Sequence, residues 1–394
     1  MTWCWQRLRE CRSLRLSRAS AFFLCISGWG CWAIYNATRA GQGGHHFVAR
    51  QVAWILLGAL ALVTCGNLPE RFYRRWLPWI CTGAYVPLVL VLVLGIRIHG
   101  MRGWFAWHGY LLQPSELAKP AFVLSLAWVL DGAAAAQTSW RRGFLPAVGL
   151  AGLWGLPIAL QPDFGTLLVY LVTFLLVYWG FGGRLRHLLI GLAAALPAVG
   201  LVCWRYPYVL RRFVAFLSPD ALGQTAGWHI IQFRRTLASG GLFGRAWEDG
   251  LWSTAYLPLG YSDSVFASAA EKIGFFGMLP LVVLILALVV YGHYYACRSR
   301  DRFRAAVIFG MTSMLVTQAF IHLSVNLGLM PPTGITLPLI SYGGSSLMSS
   351  AIAFGIVEAM VHASQTIPAG TPALPVAQDD RPTTEVQGSR PVDP

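Results

Sequence analysis

Apolar runs long enough to cross a hydrocarbon core as helices recur along almost the whole chain, separated by short polar breaks. They lie near residues 20–38, 48–66, 76–96, 114–131, 144–160, 164–181, 186–204, 276–293, 304–326 and 338–362. The pattern predicts an all-α polytopic membrane protein with ten transmembrane helices. One interval breaks the rhythm. Residues 205–274 are too many for a simple connector and are expected to form a large extracytoplasmic loop between helices 7 and 8. Within that loop, 209–217 and 228–237 mix bulky apolar residues with Arg211, Arg212, Arg234 and Arg235. Helices lying in the headgroup layer and solvated basic faces both account for that mixture. The first apolar run has no small-residue cleavage site and is expected to be a retained helix. The chain thus divides into a basic cytoplasmic segment (1–19), a ten-helix membrane domain (20–362) and a Pro-, Thr-, Ala- and Gln-rich tail (363–394). The tail has too little apolar content to fold and is expected to be disordered and cytoplasmic.

Composition closes off other classes. With 56% hydrophobic and 12% charged residues and a mean hydropathy of +0.55, the 394-residue chain is not a soluble globular protein. A net charge of +14 raises the prospect of nucleic acid, but the arginines follow membrane topology instead. Clusters at Arg7–Arg18, Arg71–Arg75, Arg141–Arg142, Arg184–Arg186 and Arg298–Arg304 alternate with short loops holding only Arg39, Arg50, Arg97 and Arg102. This bias puts both termini in the cytoplasm and the chain in the cytoplasmic (inner) membrane, with no nucleic-acid partner. Eight cysteines without CxxC spacing argue against a disulfide framework or a zinc site. No metal site and no required cofactor are expected, and assistance by a divalent ion is left open.

Acids are scarce, 16 in all, and two of them stand in matching contexts. Gln113-Pro114-Ser115-Glu116 and Gln161-Pro162-Asp163 each head a long apolar run, and the predicted topology puts both heads on the outer face. Proline near the first helical position followed by an acid is good helix-start chemistry. An acid at a membrane boundary is also costly unless it is partnered or used. Lys119 lies three residues beyond Glu116, so an ion pair and a role in substrate contact are both open. The segment from Pro331 to Ser346 interrupts an apolar region with small and hydroxylated residues, among them Ser341, Ser345 and Ser346. Irregular backbone at membrane depth lines protein-enclosed cavities, and small residues also serve helix packing. Asp263, between the long loop and helix 8, is the candidate general base if desolvated, or else the end of a turn or a helix cap.

Five segments occur in an order that resembles the SEDS family (shape, elongation, division and sporulation), the FtsW and RodA type proteins. They are 113–119 (QPSELAK), 161–166 (QPDFGT), 239–244 (SGGLFG), 262–277 (SDSVFASAAEKIGFFG) and 332–346 (PTGITLPLISYGGSS). The wording at 335–346 is closer to the division member FtsW than to RodA. The resemblance implies a peptidoglycan glycosyltransferase that polymerises lipid II at the outer face of the cytoplasmic membrane. It implies partnership with a class B penicillin-binding protein and other division proteins. By motif position Asp263 is the catalytic aspartate, Glu116 and Lys119 a supporting pair, and Arg102, Gln113, Asp163, Ser341, Ser345 and Ser346 supporting or substrate-binding residues. The chain departs from the family pattern at Leu259, where a glutamate is usual, and at Gly103, where a basic residue or tryptophan is usual. A lipid-linked sugar flippase or transporter, an elongation-type polymerase and a weakly active division scaffold are the alternatives.

Overall fold

The computed structural model describes residues 18–38, 44–98, 100–133, 139–223, 227–245, 252–253, 256–257 and 259–365. The basic segment before Arg18, the tail beyond Gln365, and Glu248 and Asp249 lie outside the described residues. Three helices come first: α1 (Arg18–Thr38), α2 (Gly44–Asn67) and α3 (Glu70–Leu94). A small antiparallel sheet follows, with strands β1 (Ile96–Ile98), β2 (Met101–Trp107) and β3 (Tyr110–Leu112). The remaining helices are α4 (Pro114–Leu117), α5 (Lys119–Gly132), α6 (Leu145–Leu160), α7 (Phe164–Gly180), α8 (Leu185–Arg205), α9 (Pro207–Leu217), α10 (Trp228–Gly240), α11 (Val265–Arg298), α12 (Arg302–Asn326) and α13 (Gly344–Gln365). A π-helical turn, Trp140–Phe144, leads into α6.

The chain folds as a helical multi-pass membrane protein. Among the described residues, six helical segments are long and apolar enough to cross a membrane, and α7 and the first part of α8 are shorter apolar helices. The two stretches of the long loop that mix arginine with apolar residues are helical, as α9 and α10. Two features differ from the expectation. The sheet at 96–112 was not anticipated from the apolar pattern. Its second turn places His108 (φ 46°) and Gly109 (φ 79°) in left-handed conformations between the paired Trp107 and Tyr110, the two-residue geometry that matches strand twist. Helix α11 also begins at Val265, well before the apolar run at 276, because it contains a break. Gly274 has φ 69° and ψ −176°. The 240–245 segment packs into that break, and the Phe275 and Phe276 amides donate to the Gly241 and Leu242 carbonyls at 3.0 and 3.1 Å. Backbone groups freed inside an apolar region must find partners, and the glycines of Ser239-Gly240-Gly241-Leu242-Phe243-Gly244 let the second chain come close enough to provide them.

Helices α12 and α13 are the innermost. Each buries 78% of its apolar window inside the protein, against 17% for α3 and α11. Polar residues on α12 and α13 therefore face protein rather than lipid. Close approach of α13 to α2 depends on small residues: a Cβ on Gly355 would sit 2.6 Å from the Leu62 carbonyl oxygen. At the end of the bundle away from Asp263, Glu70, Asp131 and Asp301 converge on two arginines. Arg74 reaches Glu70 at 2.8 Å, Asp131 at 3.2 Å and Asp301 at 2.6 Å, and Arg304 reaches Glu70 at 2.5 Å. Asp301 also caps α12 through the Arg304 amide at 2.9 Å. Two of the arginines that carry the sequence charge bias are thus tied into ion pairs joining α3, α5 and α12.

Candidate active site

The two Gln-Pro-acid heads meet. Asp163 is the N-cap of α7, its Oδ1 accepting from the Thr166 amide at 3.1 Å. Its Oδ2 accepts from Gln113 Nε2 at 2.9 Å and from Ser115 Oγ at 3.3 Å, both on the first head. The Gln113 amide donates to Ser345 Oγ at 2.9 Å, which brings the start of α13 into the same cluster. Gln161 Nε2 reaches back to the Leu88 carbonyl of α3 at 3.1 Å. Asp163, which has no basic residue near it in sequence, therefore gains two side-chain donors from a segment about fifty residues away. Capping and clustering account for it together. A Cβ on Gly165, two residues on, would sit 2.8 Å from the Thr333 carbonyl oxygen, so glycine there lets the irregular segment before α13 lie against α7.

The short helix α4 ends at Ala118, and this turn sets Glu116 and Lys119 on one side. Lys119 Nζ lies 2.6 Å from Glu116 Oε1, with Lys119 1% and Glu116 5% exposed. The ammonium also donates to Gln318 Oε1 of α12 at 2.8 Å. Gln318 Nε2 in turn donates to the Thr336 carbonyl and to Ser346 Oγ, both at 3.0 Å. Thr336 Oγ1 donates to Ser346 Oγ at 2.8 Å. The pair is enclosed and fixed to the 331–346 segment. Its one open valence is Glu116 Oε2, buried without a hydrogen-bond partner.

Asp263 sits in the turn before α11, half-buried. The N-cap of α11 is Ser264, and the first-turn amide of Ala267 is taken by Asn326 Oδ1 at 3.2 Å. Asn326 Nδ2 donates to the Asp263 carbonyl at 3.0 Å. On the other side Ser341 Oγ donates to the Ser262 carbonyl at 2.6 Å while accepting from the Leu337 amide at 2.8 Å. The Tyr342 amide donates to the Tyr261 carbonyl at 2.9 Å. Burial, with Tyr342 and Asp263 alongside, pushes the Tyr261 phenol above its ordinary pKa. The Asp263 backbone is thus clamped between α12 and the 331–346 segment, and its carboxylate faces that segment. A Cβ on Gly334 (φ 75°) would lie 4.0 Å from Asp263 Oδ2. Arg212 of α9 donates to the Pro332 carbonyl at 3.1 Å, two residues from that glycine.

Sequence reading missed the residues that connect these parts. Gln318, His322 and Asn326 recur every fourth residue of α12 and form one polar stripe from the Lys119–Glu116 pair to the Asp263 turn. His322, fully enclosed, places Nδ1 2.7 Å from the Ile335 carbonyl, so Nδ1 carries the proton and Nε2 is left as a buried acceptor without a partner. The signal was available as three polar residues at helical spacing inside an apolar run. Arg102 is placed differently from the rest. It lies on β2, and its guanidinium closes on the Leu92 and Val93 carbonyls at the end of α3, at 3.1 and 3.4 Å. Among the described residues no three His, Cys, Asp or Glu side chains gather as a metal site.

Residues 19–366 match the family model described as cell cycle protein, which groups FtsW, RodA and SpoVE. The chain belongs to this family. It is 35% identical over 339 residues to stage V sporulation protein E of Bacillus subtilis, covering 85% of this chain and 91% of that one. It is 30% identical over 342 residues to the probable peptidoglycan glycosyltransferase FtsW of Trichlorobacter lovleyi, covering 85% and 90%. Among solved structures it resembles a chain from a peptidoglycan synthase complex that coordinates polymerisation and crosslinking, with TM-score 0.73, 28% identity, and 90% and 100% coverage. It also resembles the rod shape determining protein RodA of Thermus thermophilus, with TM-score 0.65, 27% identity, and 87% and 95% coverage. The family match spans every element of the cluster, from the first Gln-Pro head to α13.

Proposed function

We propose that this FtsW/RodA/SpoVE-family chain is a peptidoglycan glycosyltransferase that polymerises lipid II at the outer face of the cytoplasmic membrane. The observation that carries the reading is the clamped Asp263, half-buried beside Gly334 at the end of the bundle where both Gln-Pro heads meet. In the reaction an acceptor hydroxyl attacks the anomeric carbon of a lipid-linked sugar. Asp263 takes the hydroxyl proton, the carbon–oxygen bond to the pyrophosphate breaks, and the lipid pyrophosphate leaves with inversion. Fixing the backbone on both sides of Asp263 limits how far its carboxylate can drift from the acceptor. Lys119 is enclosed and held by Glu116 and Gln318, so it positions the 331–346 segment instead of meeting the leaving group. Arg212, exposed and joined to Pro332, is the better placed cation for that charge. A shallow apolar cleft lined by Phe22, Ile26, Leu281, Leu315, Leu337 and Ile340 shares Leu337 with the Asp263 clamp and offers an apolar surface along which a polyprenyl tail could lie.

The arginine distribution supports ten crossings with both termini in the cytoplasm. The likeness to a chain of a peptidoglycan synthase complex supports a class B penicillin-binding protein as partner, and the FtsW names of relatives favour division over elongation. The deciding assay incubates purified protein with labelled lipid II, with and without the cognate penicillin-binding protein. Polymer that forms with the native chain and disappears with Asp263→Asn is expected. Undiminished polymerisation by a folded Asp263→Asn protein overturns the assignment.

A further inference from the structure

Of the five arginine clusters that carry the charge bias, three include an acid of their own: Glu10 within Arg7–Arg18, Glu70 beside Arg71–Arg75 and Asp301 within Arg298–Arg304. Arg141–Arg142 and Arg184–Arg186 include none. Between residues 132 and 219 the only acid is Asp163, which belongs to the cluster at the other end of the bundle. The fold brings these two acid-free clusters together. The π-helical turn that bears Arg141 and Arg142 packs on the start of α8, where Arg184 and Arg186 precede His187. Trp140 and Phe144 place their rings 5.3 and 5.4 Å from the His187 ring. Tyr178 Oη, near the end of α7, lies 2.9 Å from His187 Nδ1, and a Cβ on Gly191 would sit 2.8 Å from the Phe144 ring. All four arginines are exposed around this aromatic joint.

The described acids at this end of the bundle are committed elsewhere. Glu70, Asp131 and Asp301 pair with Arg74 and Arg304, and Glu358 lies 3.5 Å from His362. Four guanidiniums carried on one joint repel one another unless a counter-charge joins them. The surface beside them selects its chemistry. Leu145, Leu185, Leu189 and Ile190 are exposed next to the arginines, and Trp140 and Trp179 stand exposed at the same level. An apolar face edged by tryptophan marks the headgroup layer, and guanidinium N–H groups match phosphate oxygens. Free phosphate would leave the apolar face bare, and a zwitterionic lipid would return a positive charge to the cluster. A phosphate at the arginines with hydrocarbon along the leucines describes an anionic phospholipid.

We propose that the joint between the π-helical turn and α8 binds the headgroup of an anionic phospholipid, at the end of the bundle away from Asp263. This site stands independently of the polymerase reading. Full-length protein in neutral detergent is titrated with phosphatidylglycerol and its lipid adducts are counted by native mass spectrometry, with phosphatidylcholine in a parallel series. Tighter binding of phosphatidylglycerol is expected. Arg141→Gln with Arg142→Gln, and Arg184→Gln with Arg186→Gln, should each weaken it about twentyfold, at roughly fivefold per arginine. Arg71→Gln with Arg75→Gln removes the same charge from the same end and should change binding less than about twofold. Either damaging pair carries the test if the other fails to elute as folded protein. Excess inorganic phosphate should leave the lipid bound. Equal losses in the damaging and control pairs would reduce the effect to general surface attraction and overturn the site, as would equal binding of the two lipids by the native protein. Displacement by inorganic phosphate would overturn the phospholipid in favour of a free anion.

Discussion

Removing one member of the Lys119–Glu116 pair should cost far more than removing both. The two groups sit 2.6 Å apart with side chains 1% and 7% exposed, so neither can turn to water if its partner goes. In Lys119→Met, Glu116 Oε1 loses its donor beside an Oε2 that already has none, and Gln318 Oε1 loses its donor as well. Breaking a buried pair in this way costs about 3–5 kcal/mol, while replacing both charges by apolar groups of similar volume is often close to neutral. Glu116→Leu with Lys119→Met should therefore recover most of the loss and give a coupling energy of roughly 2 kcal/mol or more. Equilibrium unfolding in mixed micelles, followed by tryptophan emission and far-UV circular dichroism, measures all four proteins. Polymerisation by the double variant should remain depressed despite its restored stability, because Gln318 still lacks the lysine that orients it toward Thr336 and Ser346. Additive single costs, with coupling below about 0.5 kcal/mol, would show that the pair is not closed off as its geometry indicates.

Three further outcomes are expected. Asn326→Leu removes the donor to the Asp263 carbonyl and the acceptor for the Ala267 amide, and should lose about 1–3 kcal/mol of stability. Its kcat should fall more than its KM rises, measured on lipid II. Gly334→Ala places a side chain at φ 75° and should cost about 1–2 kcal/mol, with a fall in polymerisation if relief of that strain shifts the backbone beside Asp263. Glu70→Gln weakens contacts to Arg74 and Arg304 at the opposite end and should lower unfolding stability by about 1–3 kcal/mol while leaving lipid II turnover at native levels.

The helices were legible because lipid-facing segments must be long and apolar, and α2, α3, α12 and α13 fall where those runs lie. The 96–112 sheet was hidden because its strands are short and sit beside the apolar end of α3, so the hairpin at His108-Gly109 carried the only local signal. Arg102 took its importance from motif position, yet a guanidinium beside a helix end is drawn to the free carbonyls there, and Leu92 and Val93 hold it. Asp163 and Gln113 were both legible as residues and illegible as a pair, since a contact across fifty residues leaves no spacing to read. The same holds for Asp263, whose clamp is assembled from Asn326 and Ser341 and not from its own neighbours.

These pieces make α12 the element through which the rest of the site acts. It is buried enough to carry Gln318, His322 and Asn326 without exposing them to lipid, and their four-residue spacing sets them along one face. Gln318 takes the Lys119 ammonium and grips Thr336 and Ser346, His322 grips Ile335, and Asn326 grips Asp263. The 331–346 segment has few helical hydrogen bonds of its own, so its position depends on these grips. On this reading a disturbance of the Glu116 pair reaches Asp263 by moving that segment, and with it Gly334 beside the carboxylate. Under the proposed reaction Glu116 and Lys119 would then be positioning residues, and Asp263 the group that meets substrate.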